Sequence, residues 1–363
     1  MDFDTEILVV GGGLIGSAMA IALSSIGFDV TVIDRQSDQL TKTHVFDGRA
    51  YALSHASIRM LKALGIWNYI EENAEPILDI KVSDGRAGEG ASDWFLHFDH
   101  QELEEGPMGH LIEDRHIREA LKANIKKSKQ IEYIYNTEVI SKSDDDTGVS
   151  LNLSDGQILR SRLLIGCDGR NSNIAKWSNI SHIGWDYNQS ALVCAISHEK
   201  PHYGIAHQFF TPSGPLAILP LPGNKSSIVW TETKDKAKDI NIMRDEDYLS
   251  ALSPVIGNFL GPISLVGDRF SYPLGLSIAE SFISNCTVLV GDSAHGIHPL
   301  AGQGLNLGLK DIAALTEVLA FAKRRGENFS SKDVLERYQK WRRFDTSAMA
   351  VVTDSINKLF SND

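Results

Sequence analysis

Three glycines near the start of the chain carry its clearest chemical signal. Gly11, Gly13 and Gly16 spell G-x-G-x-x-G between an apolar run, Thr5 to Val10, and a stretch from Leu14 to Ile26 whose small and apolar residues keep helical spacing. A second strand-like run, Asp29 to Ile33, ends in Asp34, about 20 residues beyond the last glycine. Glycine lets a backbone turn tightly and approach a pyrophosphate, and a helix beginning at Leu14 and Ile15 offers unpaired N–H groups and the positive end of its dipole. A carboxylate at Asp34 can accept both hydroxyls of an adenosine ribose. The order of strand, glycine turn, helix, strand and acid reads as a dinucleotide-binding βαβ unit, and does not by itself separate NAD from FAD.

Two later strand ends repeat the theme. Leu163 to Cys167 runs into Asp168-Gly169-Arg170 and then a helix. Thr287 to Val290 ends in Gly291-Asp292; a loop with Pro299 follows, and Gly302, Gln303, Gly304, Leu305 and Asn306 lead into a long helix ending near Arg325. Each puts a carboxylate and a flexible glycine at the C-terminal end of a strand, the edge where open α/β sheets bind ligands. The second also supplies backbone donors suited to anionic or carbonyl oxygens. His295 and His298 stand three apart in that loop with no further His or Cys nearby, a pattern of loop hydrogen bonding rather than metal ligation, so no metal is expected. Arg49, between Gly48 and Ala50, is either a solvated charge or a guanidinium placed over a phosphate. Arg115 and Arg118 lie near the start of the helix IEDRHIREALKANIKK, where they oppose its dipole and favour an anionic ligand; a solvated face is the alternative.

The elements that must position these residues follow from patterning. Ser54 can cap a helix carrying Ile58, Leu61 and Leu64 on one face, with Gly65 ending it. Asp155-Gly156 is a strong hairpin turn. Strand-like pieces between 76 and 109, and runs such as SALVCAIS, IAHQFF, PLAILPLP and SSIVWTE, point to a mostly antiparallel sheet. Ser330 to Phe360 reads as one or two amphipathic helices packed back on the first domain.

Composition sets the bounds. A chain of 363 residues, 42% hydrophobic and 23% charged, suits a soluble protein of about two domains. A net charge of −12 argues against nucleic-acid binding, which needs clustered cations. Cys167, Cys194 and Cys286 are odd in number and far apart, suggesting neither disulfides nor zinc and fitting a reducing cytoplasm. No apolar run approaches a membrane span, and the acidic MDFDTE start does not read as a signal peptide, so membrane contact would be peripheral.

Taken together, Gly11 to Asp34, Asp168-Gly169 and Gly291 to Asn306 resemble the FAD-dependent aromatic hydroxylases with a single nucleotide-binding fold. Within them the chain is most similar to the ubiquinone-biosynthesis hydroxylases, through RAYALSHASIRML at 49–61, HQFFTPSGPLAILPLPGNKSSIVWTE at 207–232 and AHGIHPLAGQGLNLGLKD at 294–311. The resemblance implies an α/β fold: a Rossmann-like FAD-binding domain at 1–75, 110–177 and 276–325, a mostly antiparallel substrate domain at 76–109 and 178–275, and C-terminal helices at 326–363. It implies that Gly11, Gly13, Leu14, Ile15 and Gly16 meet the FAD pyrophosphate, Asp34 and Arg35 the ribose, and Arg49 the phosphates or ribityl chain. Val139 would lie by the adenine, Asp168 and Gly169 near the pyrophosphate and NAD(P)H route, and Asp292 at the ribityl hydroxyls. Pro299 and the loop Gly302, Gln303, Gly304, Leu305, Asn306 would line the isoalloxazine ring, with Arg115 a further candidate and His298 a candidate proton relay. The activity implied is transfer of one atom of O₂ to the ring of a polyprenyl phenol, with NADH or NADPH as reductant, possible membership of a quinone-synthesis complex, and a cytoplasmic place at the inner membrane surface. Another FAD-dependent oxidoreductase of this fold, or a non-catalytic flavoprotein subunit, is the alternative. Family members continue beyond the LFSND at which this sequence stops, with a further hydrophobic and basic segment.

Overall fold

The computed structural model describes residues 3–37, 46–86, 90–102 and 106–360. In chain order, β1 (Thr5–Val10), α1 (Leu14–Ser25) and β2 (Val30–Ile33) are followed by β3 (Ala50–Leu53), α2 (His55–Ala63), β4 (Glu75–Ile77), β5 (Asp79–Arg86), β6 (Gly90–Asp99) and β7 (Gly109–Glu113). Next come α3 (Asp114–Ile125), β8 (Ile131–Ile134), β9 (Val139–Asp144), β10 (Val149–Leu153), β11 (Ile158–Gly166) and α4 (Asn173–Trp177). The second half holds β12 (His182–His198), β13 (Ile205–Thr211), β14 (Gly214–Leu221), β15 (Lys225–Thr233), α5 (Lys234–Asn241), α6 (Asp245–Ile256), β16 (Ile263–Ala279), β17 (Ile283–Ser284), β18 (Thr287–Leu289), β19 (His295–Gly296), α7 (Gln303–Arg324) and α8 (Lys332–Phe360). The polar stretch after Asp34 falls largely on residues 38–45, outside the described ones.

One sheet runs β17-β18-β11-β1-β2-β8, parallel from β18 to β8, with β10 and β9 folded back from β11 as an antiparallel meander. Its central strand is apolar almost throughout because layers cover both faces: Ile7, Leu8 and Val9 have no exposed surface. The expected hairpin at Asp155-Gly156 joins β10 to β11. A second sheet, β19-β16-β12-β15-β14-β13-β5-β6, is antiparallel except for the β13–β5 pair. Its outer side packs Trp230 and Ile228 against Tyr248, Leu252 and Ile256 of α6. A small sheet, β3-β7-β4, lies between the two in the chain's path. Phe46, Leu111, Ala195 and Leu221 form a separate core there, joining the small sheet to the large one.

The expected helical stretch from Ser330 to Phe360 holds one helix, α8, rather than two. Its first half packs on the parallel sheet, where the Tyr338 hydroxyl donates to the Leu289 carbonyl at 3.0 Å. At 29 residues it is about 43 Å long, too long to stay on one layer. Its second half therefore leaves the first domain for the antiparallel sheet: Tyr187 donates to Asp354, Asn357 to Gln189, and Phe360 stacks on Phe210. Among the described residues no helix is long and apolar enough to cross a membrane.

Candidate active site

The loops after β1, β11 and β18 lie side by side because their strands are neighbours in the parallel sheet. Hydrogen bonds lock them together: Cys167 N–H donates to the Val10 carbonyl at 2.7 Å, and the Ser293 hydroxyl to the Gly166 carbonyl at 2.5 Å. The glycines of the first loop divide the work. A side chain at Gly11 would meet the Cys167 carbonyl, and one at Gly16 the Gly11 carbonyl, so these two permit close packing of strand, turn and helix. Gly13 differs: nothing stands within 4 Å of where its Cβ would be, leaving the turn open above the helix start. No side chain caps α1 at that end. Its first-turn amides are therefore directed at the opening, and the site favours an anion.

Asp34 is tied to the same turn. Its carboxylate accepts the Gly12 N–H at 3.1 Å and the Gln36 N–H at 2.9 Å. The Tyr133 hydroxyl donates to the Gly12 carbonyl at 2.8 Å, and burial pushes that phenol well above its usual pKa, so it stays protonated as a donor. The segment bearing Val139 runs beside Asp34, whose carbonyl accepts the Thr137 N–H at 3.1 Å. Gly12, Gly13, Leu14, Ser17, Arg118, Lys122 and Tyr135 surround one cleft, which places two cations beside the open turn.

The second open helix start belongs to α7. Gly302 sits at its N-cap in the left-handed region, at φ 62°, with its backbone against Ala52, and no side chain caps the helix. Gly304 in the first turn is exposed, and the space its Cβ would enter is open to 4 Å. The two helix starts meet through Ile15: a side chain at Gly308 of α7, or at Gly291, would strike it. Asn306 does not face the opening. Its Oδ1 accepts the Ser54 N–H at 2.9 Å and the Ser57 hydroxyl at 2.6 Å, and its Nδ2 donates to the Ala52 and Gly302 carbonyls.

Beneath the loop from Gly291 to Pro299 lies a buried charge network. Asp311 of α7 accepts the Gly291 N–H at 2.9 Å, bonds His295 Nε2 at 2.6 Å and accepts Arg342 Nε of α8 at 2.6 Å. Burial acts to lower the His295 pKa, but the Asp311 carboxylate outweighs it and holds the imidazole above its usual value. Burial likewise acts to raise Asp311, and His295 with Arg342 holds it below the usual carboxylate range. His298 is the opposite case. It is 1% exposed, neither ring nitrogen has a hydrogen-bond partner among the described residues, and Tyr187 meets it edge-on at 5.3 Å. Burial, with Arg170 nearby, brings its pKa down to about 4, so it is neutral at pH 7.

The sequence profile described as "FAD binding domain" matches residues 4–354. The ubiquinone hydroxylase UbiL of Rhodospirillum rubrum is 39% identical over 99% of this chain and 82% of its own length. The 3-demethoxyubiquinol 3-hydroxylase of Escherichia coli is 32% identical over 99% of this chain and 90% of its own. This chain belongs to the FAD-dependent ubiquinone-biosynthesis hydroxylases. Among solved structures, PqsL of Pseudomonas aeruginosa shares the fold, with a TM-score of 0.83 at 19% identity over 99% of this chain and 97% of that one. The α/β reading with its antiparallel second sheet holds, and FAD is the cofactor of the family.

An open cradle at Gly13, two uncapped helix starts and an unpartnered buried imidazole fit a long, partly anionic cofactor lying along the three loops. The structure places the expected contact residues unevenly. Gly13 and Leu14 line the cleft, Asp34 and the segment bearing Val139 adjoin the same turn, and Gly304 has open space at the second helix start. Asp168 spends its carboxylate capping α4, accepting the Ser172 hydroxyl at 2.6 Å and the Asn173 and Ile174 N–H groups. Asp292 is half-exposed and meets Arg170 at 3.4 Å. Arg49 is held by Asp47 and lies over the Phe270 ring at 5.4 Å. Arg115 bonds Glu113 at 2.6 Å and lies over Phe46, whereas Arg118, nearly one turn further along α3, lines the cleft. Nothing local in the sequence marks Tyr133, Asp311 or Arg342, since a lone Tyr in a strand or a helical Asp and Arg carry no signal of their own. Among the described residues, Asp79, Asp99 and His100 at the base of the β5–β6 hairpin could hold a cation; His295 and His298 form no such group.

Proposed function

We propose that this chain hydroxylates the aromatic ring of a polyprenyl phenol in ubiquinone biosynthesis, with FAD as cofactor, NADH or NADPH as reductant and O₂ as the oxygen donor. The observation that carries the reading is the near full-length match to ubiquinone hydroxylases, supported by three adjoining loops and two helix starts that no side chain caps. When bound, FAD reduced by NAD(P)H activates O₂ for transfer of one oxygen atom to an electron-rich ring carbon.

The protein's part is to bind, orient and exclude water. In this proposal Gly11 to Gly16 and Arg118 hold the pyrophosphate, Asp34 with Arg35 the ribose, Val139 the adenine edge, and Asp292 the ribityl hydroxyls. Arg49 and Asp168 lie toward the phosphates and the reductant's approach. Pro299 and the amides of Gly304 and Leu305 face the ring, where N–H donors stabilise developing negative charge in the manner of an oxyanion hole. His298, neutral at pH 7, can accept a proton at one ring nitrogen and give one from the other. Its substrate's prenyl tail would bring the protein to the inner membrane surface from the cytoplasm by peripheral contact, and a quinone-synthesis complex is a natural setting for it.

The test uses the FAD-loaded protein with NADH or NADPH, a prenylated phenol and isotopically labelled O₂. One labelled oxygen in the ring product is expected. Steady NAD(P)H oxidation whose product carries no oxygen from O₂ would overturn the reading in favour of another oxidoreductase.

A further inference from the structure

Asp114, the first residue of α3, is 2% exposed and directs its charge at side chains. Its Oδ2 accepts Arg118 Nε at 2.6 Å, and Arg49 Nη2 stands 3.5 Å from the same oxygen. The Asp114 N–H donates to the Arg49 carbonyl at 2.9 Å, and Asp47 accepts Arg49 Nε at 2.9 Å, so the acid is itself anchored by a second ion pair. The Tyr51 phenol beside it is pushed well above its usual pKa by burial and stays neutral. Asp114 Oδ1 is buried with no hydrogen-bond partner among the described residues, a cost to the fold that bonds to backbone N–H groups, as at Asp168, would have avoided. Asp47, Arg49, Asp114 and Arg118 thus alternate in sign and sum to zero. The last of them lines the cleft with Gly12, Gly13 and Leu14.

Charge and position make opposite demands on such an acid. A carboxylate beside the cation that meets a pyrophosphate cancels that cation and repels the phosphates, so by charge alone Asp114 weakens FAD binding. By position it does the reverse. Arginine is a long side chain with many rotamers, and one held in place before the ligand arrives loses less freedom on binding, an effect of about tenfold in affinity. Asp114 takes Arg118 by Nε, the nitrogen next to the stem, so this bond occupies neither terminal Nη group of the fork that matches a phosphate. We propose that Asp114 is a positioning residue for cofactor binding: anchored by Arg49, it sets the Arg118 guanidinium at the open turn before FAD arrives. The proposal rests on the reading that the turn at Gly13 holds the pyrophosphate.

The experiment dilutes the FAD-loaded protein and follows flavin release by fluorescence, giving a dissociation constant for wild type, Asp114→Asn, Arg118→Ala and the double variant. Asp114→Asn should raise the constant about tenfold although it removes a negative charge. In the Arg118→Ala background the same change should not raise it, whereas an acid that served the fold alone would cost the same in both backgrounds. Asp114→Glu keeps the charge and shifts its place by one methylene; it should also weaken binding, and it decides the matter if Asp114→Asn does not fold. FAD held by Asp114→Asn, or by Asp114→Glu, as tightly as by wild type would overturn the proposal, and so would an equal effect with and without Arg118. Arg118→Ala binding FAD like wild type would overturn it together with the placement of the pyrophosphate. A weakened Arg118→Ala beside an unaffected Asp114→Asn would remove the role of Asp114 alone.

Discussion

The Ser57 hydroxyl donates to Asn306 Oδ1 at 2.6 Å, joining residues 249 apart in the chain. Ser57 lies in the first turn of α2 and Asn306 in the first turn of α7, so this bond sets one helix start against the other. The Asn306 amide completes the clamp by reaching Ala52 in β3 and Gly302 at the α7 cap. An Asn whose four hydrogen-bonding positions are all used by the protein has none left for a ligand. Its part in the site is to hold Gly302 to Leu305 in place.

Asn306→Ala leaves the partly buried Ser54 N–H and Ala52 carbonyl without this partner. Unsatisfied groups of this kind cost about 1–3 kcal/mol each, so a loss of about 3 kcal/mol in unfolding free energy is expected, with weaker flavin retention. Ser57→Ala removes one bond and should cost about 1 kcal/mol. Denaturant melts of both variants with FAD present check this; equal stability of Asn306→Ala and wild type would remove the clamp.

The buried His295–Asp311–Arg342 network predicts a pH dependence. His295 has a raised folded pKa, so its contribution is complete below about 6.5 and is lost as pH rises through the raised value. Asp311 has a lowered folded pKa, so its contribution is complete above about 3.9 and is lost as pH falls through the lowered value. Asp311→Asn leaves Arg342 with Asp345 alone and should destabilise by about 3–5 kcal/mol. The gap between wild type and Asp311→Asn should be widest in mild acid and narrow toward alkaline pH. Melting curves from pH 5 to 9 measure it, and a gap that widens with pH contradicts the assignment.

The first βαβ unit was legible because each of its parts is local: an apolar run, three spaced glycines, a helix start and an acid lie within Thr5 to Asp34. Asp311 was not, because its partners His295 and Arg342 lie in a loop and a second helix that only the fold brings together. The single α8 was half legible. Amphipathic spacing marks a helix over Ser330 to Phe360, but the switch of its buried side from the parallel to the antiparallel sheet depends on where Leu289 and Gln189 stand in space. Helical register likewise separates Arg118 from Arg115, since residues three apart sit on neighbouring but distinct lines of a helix.

That separation gives a third prediction. Arg118 lines the cleft with Gly12, Gly13 and Leu14 and is braced by Asp114 at 2.6 Å, whereas Arg115 is bonded to Glu113. A charge-assisted bond to a phosphate contributes about 1.5–3 kcal/mol, or roughly one to two decades in affinity. Arg118→Ala should raise the FAD dissociation constant by about that factor and Arg115→Ala by much less. Fluorescence titration of the apoprotein with FAD compares them, and the reverse order would return Arg115 to the phosphate.

Gly302 and Gly304 stand two residues apart and should respond differently to a side chain. Gly302 has φ 62°, a conformation that L residues resist, and its Cβ would press on Ala52 at 3.2 Å. Gly302→Val should therefore destabilise the folded chain even without FAD, by about 1–3 kcal/mol of backbone strain together with the crowding at Ala52. Gly304 lies in the first turn of α7 with open space where its Cβ would stand. Gly304→Val should fold with a melting temperature near that of wild type, because the protein itself does not object to the added group. If that open space is where the flavin ring lies, the valine obstructs it: flavin content falls, and less of the NAD(P)H consumed appears as hydroxylated phenol. Flavin content, melting temperature and coupling measured on both variants separate strain from obstruction. Gly304→Val with wild-type flavin content and coupled turnover would show that this helix start does not face the ring.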